Sequence, residues 1–302
     1  MTVTRAIHDR AGLKARLDQL YLEYNRAEAV ADPIEIVRRY SRPDDREVVG
    51  FCAAALAFGR VASVLQSVER LLAIMGPSPA AFIRQFDRSR DGRLFDGLGH
   101  RWTRSHDLIA LVQTLHLMVR HAGSIEQFFL QGHRHESSEI GVSIEAFSRR
   151  ALALSPAPVG EGRGPGVAYF FPCPSSGSAC KRLNLYLRWM VRSDSIDLGV
   201  WSGVSPAQLV VPLDVHVIRL GQCLGLTRYR SPGWRMAADL TQTLRAFDPV
   251  DPVRYDFALC HVGMRDQCGF NRPFRDERCP LRGWCRPGAR RSQSSRRPSA
   301  RR

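Results

Sequence analysis

Residues 46–58, REVVGFCAAALAF, are apolar on nearly every helical face. A helix of that kind has no side to show to water, so it must lie at the centre of a core built from other elements. Gly59 stops it, and a second helix follows at once, with Val61, Val64, Leu65, Val68, Leu71 and Leu72 in phase and Gly76 at its end. The same period runs through residues 12–26, 107–120 and 138–153. It returns in a helix from Trp234 that aligns Met236, Leu240, Leu244 and Phe247. Asp32-Pro33-Ile34-Glu35 reads as a cap, a proline at the first helical position and an acid at the positive end of the helix dipole. Asp251-Pro252 repeats that signal and predicts a helix over 252–263. Strand signals are confined to VAYFF at 167–171 and LVVPL at 209–213. The pattern predicts an all-α fold of ten or more helices.

Composition narrows the class. Hydrophobic residues make up 44% of the 302 and charged residues 24%, the balance of a globular chain rather than a disordered one. No apolar run is long enough for a membrane span, and MTVTRAIHDR has no apolar signal segment, so the cytoplasm is the expected compartment. The formal charge is +15. Residues 286–302 hold seven arginines and no acid, and they are expected to be a disordered basic tail. Removing those seven still leaves 15 − 7 = +8 on residues 1–285. A basic folded part points to a polyanion, with nucleic acid, and hence the nucleoid, as the expected partner. The stretch 155–177, rich in Pro, Gly and Ser, reads as a long ordered loop or a boundary between two lobes.

Of the 44 basic residues only Lys14 and Lys181 are lysines. Arginine never gives up its proton, whereas a partly buried lysine does and then serves as a nucleophile in Schiff-base chemistry. Lys14 falls on a polar helix face with no evident chemistry. Lys181 opens the helix KRLNLYLRWMVR just after the long loop, with Ser178 expected as its cap. On that helix Leu183, Leu187, Met190 and Val191 form the core side. Lys181, Asn184, Arg188 and Arg192 share the opposite face, either as a phosphate cradle beside the helix N-terminus or as an ordinary solvated stripe. Downstream, Pro212-Leu213-Asp214-Val215-His216 puts Asp214 at a helix N-cap. It either caps, or offers a carboxylate to a developing cation at a helix mouth.

The segment Pro212-Leu213-Asp214-Val215-His216 resembles the Pro-x-Asp-x-His segment of the helix-hairpin-helix DNA glycosylase superfamily. The chain as a whole resembles an uncharacterised bacterial domain-of-unknown-function family through DPIEIVRRY, REVVGFCAAALAFGR, GSACKRLNLYLRWMVR, VVPLDVHVIRLGQCLGL and DPVRYDFALCHVGM. Ser195 stands where typical glycosylases of the superfamily carry the nucleophilic lysine, and no LPGVG-type hairpin is present. Lys181 instead precedes Asp214 by 33 residues, a separation like that of the archaeal 8-oxoguanine glycosylase branch. The resemblance implies a two-lobed helical fold with a basic cleft over residues 1–285, Lys181 as nucleophile and Asp214 as the assisting carboxylate. Arg182, Asn184, Arg188, Arg192 and His216 would then contact the nucleic acid. Trp189, Trp201 and Phe170 are candidates for stacking on an extruded base, each equally readable as core.

Eight cysteines without a secretory signal argue against a disulfide framework. Cys260, Cys268, Cys279 and Cys285 cluster in the segment 260–285. The interval from Cys279 to Cys285 resembles the last interval of the four-cysteine iron–sulfur loop of some glycosylases, although Asp276 stands where another cysteine would be wanted. An iron–sulfur cluster, zinc with His261 as a further donor, or packed thiols without metal are the alternatives. His133 and His135 are expected to be solvated in a polar loop. Three functions follow as expectations: a base-excision DNA glycosylase with lyase activity on duplex carrying a damaged base, a non-catalytic nucleic-acid-binding protein, or a helical metalloprotein.

Overall fold

The computed structural model describes residues 9–26, 32–155, 166–265 and 278–284. The expected basic tail, Cys268, Asp276 and Cys285 lie outside the described residues, as do 156–165 of the long loop. Among the described residues thirteen α-helices run in order: α1 (Arg10–Tyr24), α2 (Ile34–Arg38), α3 (Pro43–Ala55), α4 (Val61–Met75), α5 (Pro79–Gln85), α6 (Arg88–Asp91), α7 (Ser105–Ala122), α8 (Ile125–Leu130), α9 (Gly141–Leu154), α10 (Lys181–Val191), α11 (Val215–Leu224), α12 (Trp234–Arg245) and α13 (Asp256–Met264). Between α6 and α7, β1 (Gly99–His100) pairs antiparallel with β2 (Thr103–Arg104) through a two-residue turn. No helix among the described residues is long and apolar enough to cross a membrane.

α3 is the buried central helix, with every residue from Glu47 to Ala55 inside. Two of its acids are buried with it, and each caps another helix. The Asp45 carboxylate accepts from the Ala80 N–H (2.8 Å) and the Ser78 hydroxyl (3.2 Å), at the start of α5. The Glu47 carboxylate accepts from the N–H groups of Ile125 (3.2 Å) and Glu126 (2.9 Å), at the start of α8, and from the Trp201 indole N–H (2.7 Å). Helix N-termini leave backbone donors unpaired, so these carboxylates fasten neighbouring helices to α3 by satisfying them. Phe51 meets Tyr186 of α10 edge-on at 5.0 Å. Among the described residues the core is one apolar cluster running from Leu13 to Leu281.

Burial pushes the Glu47 carboxyl up to about 6, against the hydrogen bonds from Glu126, Ile125 and Trp201 that favour its charge. A carboxyl held above its ordinary value binds its proton more readily folded than unfolded. Its contribution to stability therefore grows as pH falls from about 6 toward the ordinary value of 4.5, and is lost as pH rises again. Urea titrations of the wild type and Glu47→Gln should show the wild type gaining about 2 kcal/mol on the variant across that window. A difference that stays flat with pH would contradict it.

The two β-like sequence runs are not strands. Val167–Tyr169 is a single 3-10 turn that buries Phe170 and Phe171 behind it. Leu209–Val211 is buried, but its Val211 N–H donates to the Thr241 hydroxyl (3.0 Å) instead of a ladder. The expected helix start at Asp251-Pro252 also moves. α13 begins at Asp256, and the Asp251 carboxylate is bonded to Arg192. His133 is half-buried, with its ring against Phe129 and its Nδ1 2.9 Å from the Ser143 hydroxyl, rather than solvated.

Candidate functional site

α10 sets the geometry of the site. It starts after Cys180, which sits in the left-handed region (φ 48°), while the Ser178 hydroxyl accepts from the Cys180 N–H (3.1 Å). Ser178 thus braces the entry turn without being the cap. The two cations of the first turn point at the end of α3. Lys181 Nζ lies 3.5 Å from the Ala57 carbonyl, and Arg182 Nη1 donates to the Ala55 carbonyl at 3.2 Å. The last carbonyls of a helix lack intrahelical donors and carry partial negative charge, so Arg182 is well placed on Ala55, the last residue of α3, while Lys181 lies against the chain two residues beyond it. Arg182 also donates to the Tyr169 carbonyl, and its guanidinium lies 3.6 Å from the Tyr169 ring centroid.

The stripe continuing down α10 is neither solvated nor open to phosphate. Arg188 and Arg192 are each 3% exposed. Arg188 binds Asp197 (3.2 Å) and Asp256, while Arg192 binds Asp197, Asp194 (2.9 Å) and Asp251 (2.9 Å). Burial opposes both guanidinium charges, but these carboxylates outweigh it and raise both pKa values. Asn184 is also buried and donates to the Ala179 carbonyl (3.0 Å). The expectation that Arg188, Arg192 and Asn184 contact nucleic acid is therefore corrected. Their polar groups are turned inward, and the two arginine charges are neutralised before any ligand arrives. Arg182 is committed to two carbonyls and a ring, and the ring of His216 packs over Gly263 of α13, where an added Cβ would come within 2.6 Å of the His216 side chain.

Asp214 is the N-cap of α11, as its sequence position predicts. Its Oδ1 accepts from the N–H groups of His216 (2.7 Å) and Val217 (2.9 Å). Its other oxygen accepts from the Cys260 thiol at 3.4 Å. Burial pushes that thiol well above its ordinary range, and the charges of Asp214, Asp256 and Asp32 add to the effect. Asp256 is itself pushed up to about 6 by burial, against the pull of Arg188. No hydrogen bond or ion pair joins Lys181 to Asp214, but α10 and α13 connect them. Lys181 and Arg188 share one face of α10, ~10 Å apart along its axis. Arg188 reaches Asp256 on α13, and one turn later the same helix holds Cys260 against Asp214.

A four-cysteine centre gains no support from the residues in place. Cys260 gives its thiol to a carboxylate, and no group of three ligating side chains occurs among the described residues. None of the six described cysteines is in a disulfide, Cys279 is buried, and burial pushes Cys52 and Cys180 up to about 12. The aromatic candidates Trp189, Trp201 and Phe170 are 0%, 3% and 1% exposed, so they are core.

Sequence reasoning passed over a different group. Trp102, at the tip of the β1–β2 hairpin, is 47% exposed and stacked on Phe58 (4.9 Å, 23°). Phe58 adjoins Ala57, whose carbonyl Lys181 touches. Arg60, Arg101 and Arg104 are exposed around the tip and have no ion-pair partner among the described residues. The signal was present in Gly99–Arg104, GHRWTR, a tryptophan among arginines in a window without an acid.

The described residues define a mostly helical protein with a short hairpin, whose chemistry-bearing groups are an amine, a capping carboxylate and arginines without an ion-pair partner among those residues. A family model described as a protein of unknown function (DUF2400) matches residues 32–265, and the chain belongs to that family. No curated protein and no solved structure matches it.

Proposed function

We propose that the protein is a base-excision DNA glycosylase with lyase activity, Lys181 being the nucleophile and Asp214 the assisting carboxylate. One observation carries the reading. Arg188 and Arg192 of α10 are each locked to two or more carboxylates, whereas Lys181 has none among the described residues, only a carbonyl at 3.5 Å. An amine that attacks carbon has to shed its proton, and a bonded carboxylate would oppose that. Asp214 likewise has no cation bonded to it among the described residues, which leaves its charge for a cation formed in the reaction.

In this reading the damaged nucleotide is extruded from the duplex. The Lys181 nitrogen bonds to C1′ as the bond from C1′ to the base breaks, and the proton lost from the amine leaves with the base. Asp214 stabilises the oxocarbenium-like charge at C1′ during the exchange. Opening of the sugar ring then gives the protonated imine that permits strand scission. Borohydride reduces that imine to a stable amine. Lesion-bearing duplex should therefore become covalently trapped by the wild type and not by Lys181→Gln; equal trapping would remove the assignment.

A second reading, a nucleic-acid-binding protein without catalysis, is favoured by the exposed Arg60, Arg101 and Arg104 and by the capping bonds that already account for Asp214. Both readings predict duplex affinity that falls with salt. Changing Arg60, Arg101 and Arg104 together to Ala should reduce the log–log slope by about 0.9 for each phosphate that is no longer neutralised. An unchanged slope would mean that other residues neutralise the phosphates.

A further inference from the structure

We propose that the tip of the β1–β2 hairpin is a stacking site for an unpaired nucleobase of a DNA strand, with Trp102 as the face that receives it. The proposal rests on the reading of the protein as one that acts on DNA, but not on its catalytic residues.

Four features show that the ring is held in place rather than left at a loose tip. Trp102 stacks on Phe58 and meets Tyr169 nearly edge-on (5.8 Å, 83°), while Phe58 and Tyr169 also meet edge-on (5.3 Å, 81°). His100 clamps the base of the hairpin from behind, its Nε2 2.7 Å from the Phe58 carbonyl and its Nδ1 2.9 Å from the Ser67 hydroxyl. Arg101, the first residue of the turn, has φ 54°, a conformation that hairpin turns normally give to glycine, asparagine or aspartate. Gly59 faces it at φ 106°, and a Cβ there would come within 2.9 Å of the Arg101 guanidinium. Backbone strain of this kind persists where the surroundings over-determine it, and here it sets an indole outward beside an arginine.

A rigid indole with nearly half its surface in water has lost its side-chain freedom before any ligand binds, yet its remaining apolar area is unburied. The charge around it selects the occupant. The Arg101 guanidinium lies over the Trp102 ring, 5.5 Å from its centroid, so an incoming base would meet ring and cation together; Arg60 and Arg104 are exposed nearby, and none of the three has an ion-pair partner among the described residues. An unpaired base supplies a flat π-face, and its two flanking phosphates supply the negative charge. That combination of aromatic platform and basic surround is how single strands are held without regard to sequence.

The test compares two fluorescein-labelled single strands of equal length, oligo-dT and the same backbone made wholly of abasic tetrahydrofuran units, by fluorescence anisotropy at fixed salt. The full chain should bind oligo-dT about tenfold more tightly, the size of one base–aromatic stack. Trp102→Ala should remove that preference and leave affinity for the abasic strand within about twofold. Trp102→Phe, which keeps a ring and so guards against a folding defect, should retain part of it. Equal binding of both strands by the wild type, or a preference that survives Trp102→Ala, would overturn the proposal. The assay contains neither lesion nor reductant, so a failure of the glycosylase reading leaves its result unaffected.

Discussion

Replacing Asp197 by Asn should destabilise the protein by about 3–5 kcal/mol, as expected when one partner leaves a buried ion-pair network. Asp197 is 3% exposed and bridges Arg188 to Arg192. Its own pKa is raised by burial, against the two arginines that favour its charge. With the carboxylate gone, Arg188 keeps only Asp256, and Arg192 keeps Asp194 and Asp251 at the edge of the network. In a chain of this size the thermal midpoint should fall by roughly 6–20 °C. Urea midpoints measured at unchanged m-value check the size of the effect. A loss below about 1 kcal/mol would mean that water reaches these guanidinium groups. In that case they would again be open to phosphate.

The second large effect concerns chemistry and not stability. Asp214→Asn should leave folding nearly untouched, because asparagine caps a helix as well as aspartate does. Asp214→Ala, which removes the cap, should cost about 1 kcal/mol. If Asp214 only caps, base release follows that order, with the alanine variant the more impaired. If it also meets a developing cation, the amide variant should lose about 100-fold or more in base release while remaining as stable as the wild type. Single-turnover assays on lesion-bearing duplex, run beside urea titrations, separate the two outcomes. Lys181→Arg makes a parallel comparison. It keeps a cation for the end of α3 but not an amine that sheds a proton, so trapping should disappear while stability holds.

The helices were legible because their cause is local. The buried apolar run of α3, the stop at Gly76 and the Asp214 cap are each readable within a few residues, although α3 ends at Ala55, short of the Gly59 expected to stop it. The α10 stripe was misread because its partners are not local. Charges spaced along one helix face look solvated from sequence. Only the fold brings Asp251 and Asp256, some sixty residues away, to Arg192 and Arg188. Asp251 was misread for the same reason, since a cap signal before a proline and a distant salt-bridge partner look alike on paper. The Trp102 hairpin escaped notice because its strands are two residues each and Arg101 occupies the turn position where glycine would have announced it. VAYFF and LVVPL have strand composition but pair with no strand among the described residues; what they bury is Phe170 and Phe171 in the first and Leu209–Leu213 in the second.

The most direct test of Lys181 as nucleophile uses the scarcity of lysine in the chain. Wild-type protein trapped by borohydride on lesion-bearing duplex should be digested and the adduct located by mass spectrometry. With only Lys14, Lys181 and the terminal amine available to form a reducible imine, the assignment is unambiguous. The account predicts the adduct on the peptide containing Lys181. An adduct on Lys14 or the terminal amine, or no adduct with any lesion across a panel of oxidised, alkylated and abasic duplexes, would contradict it.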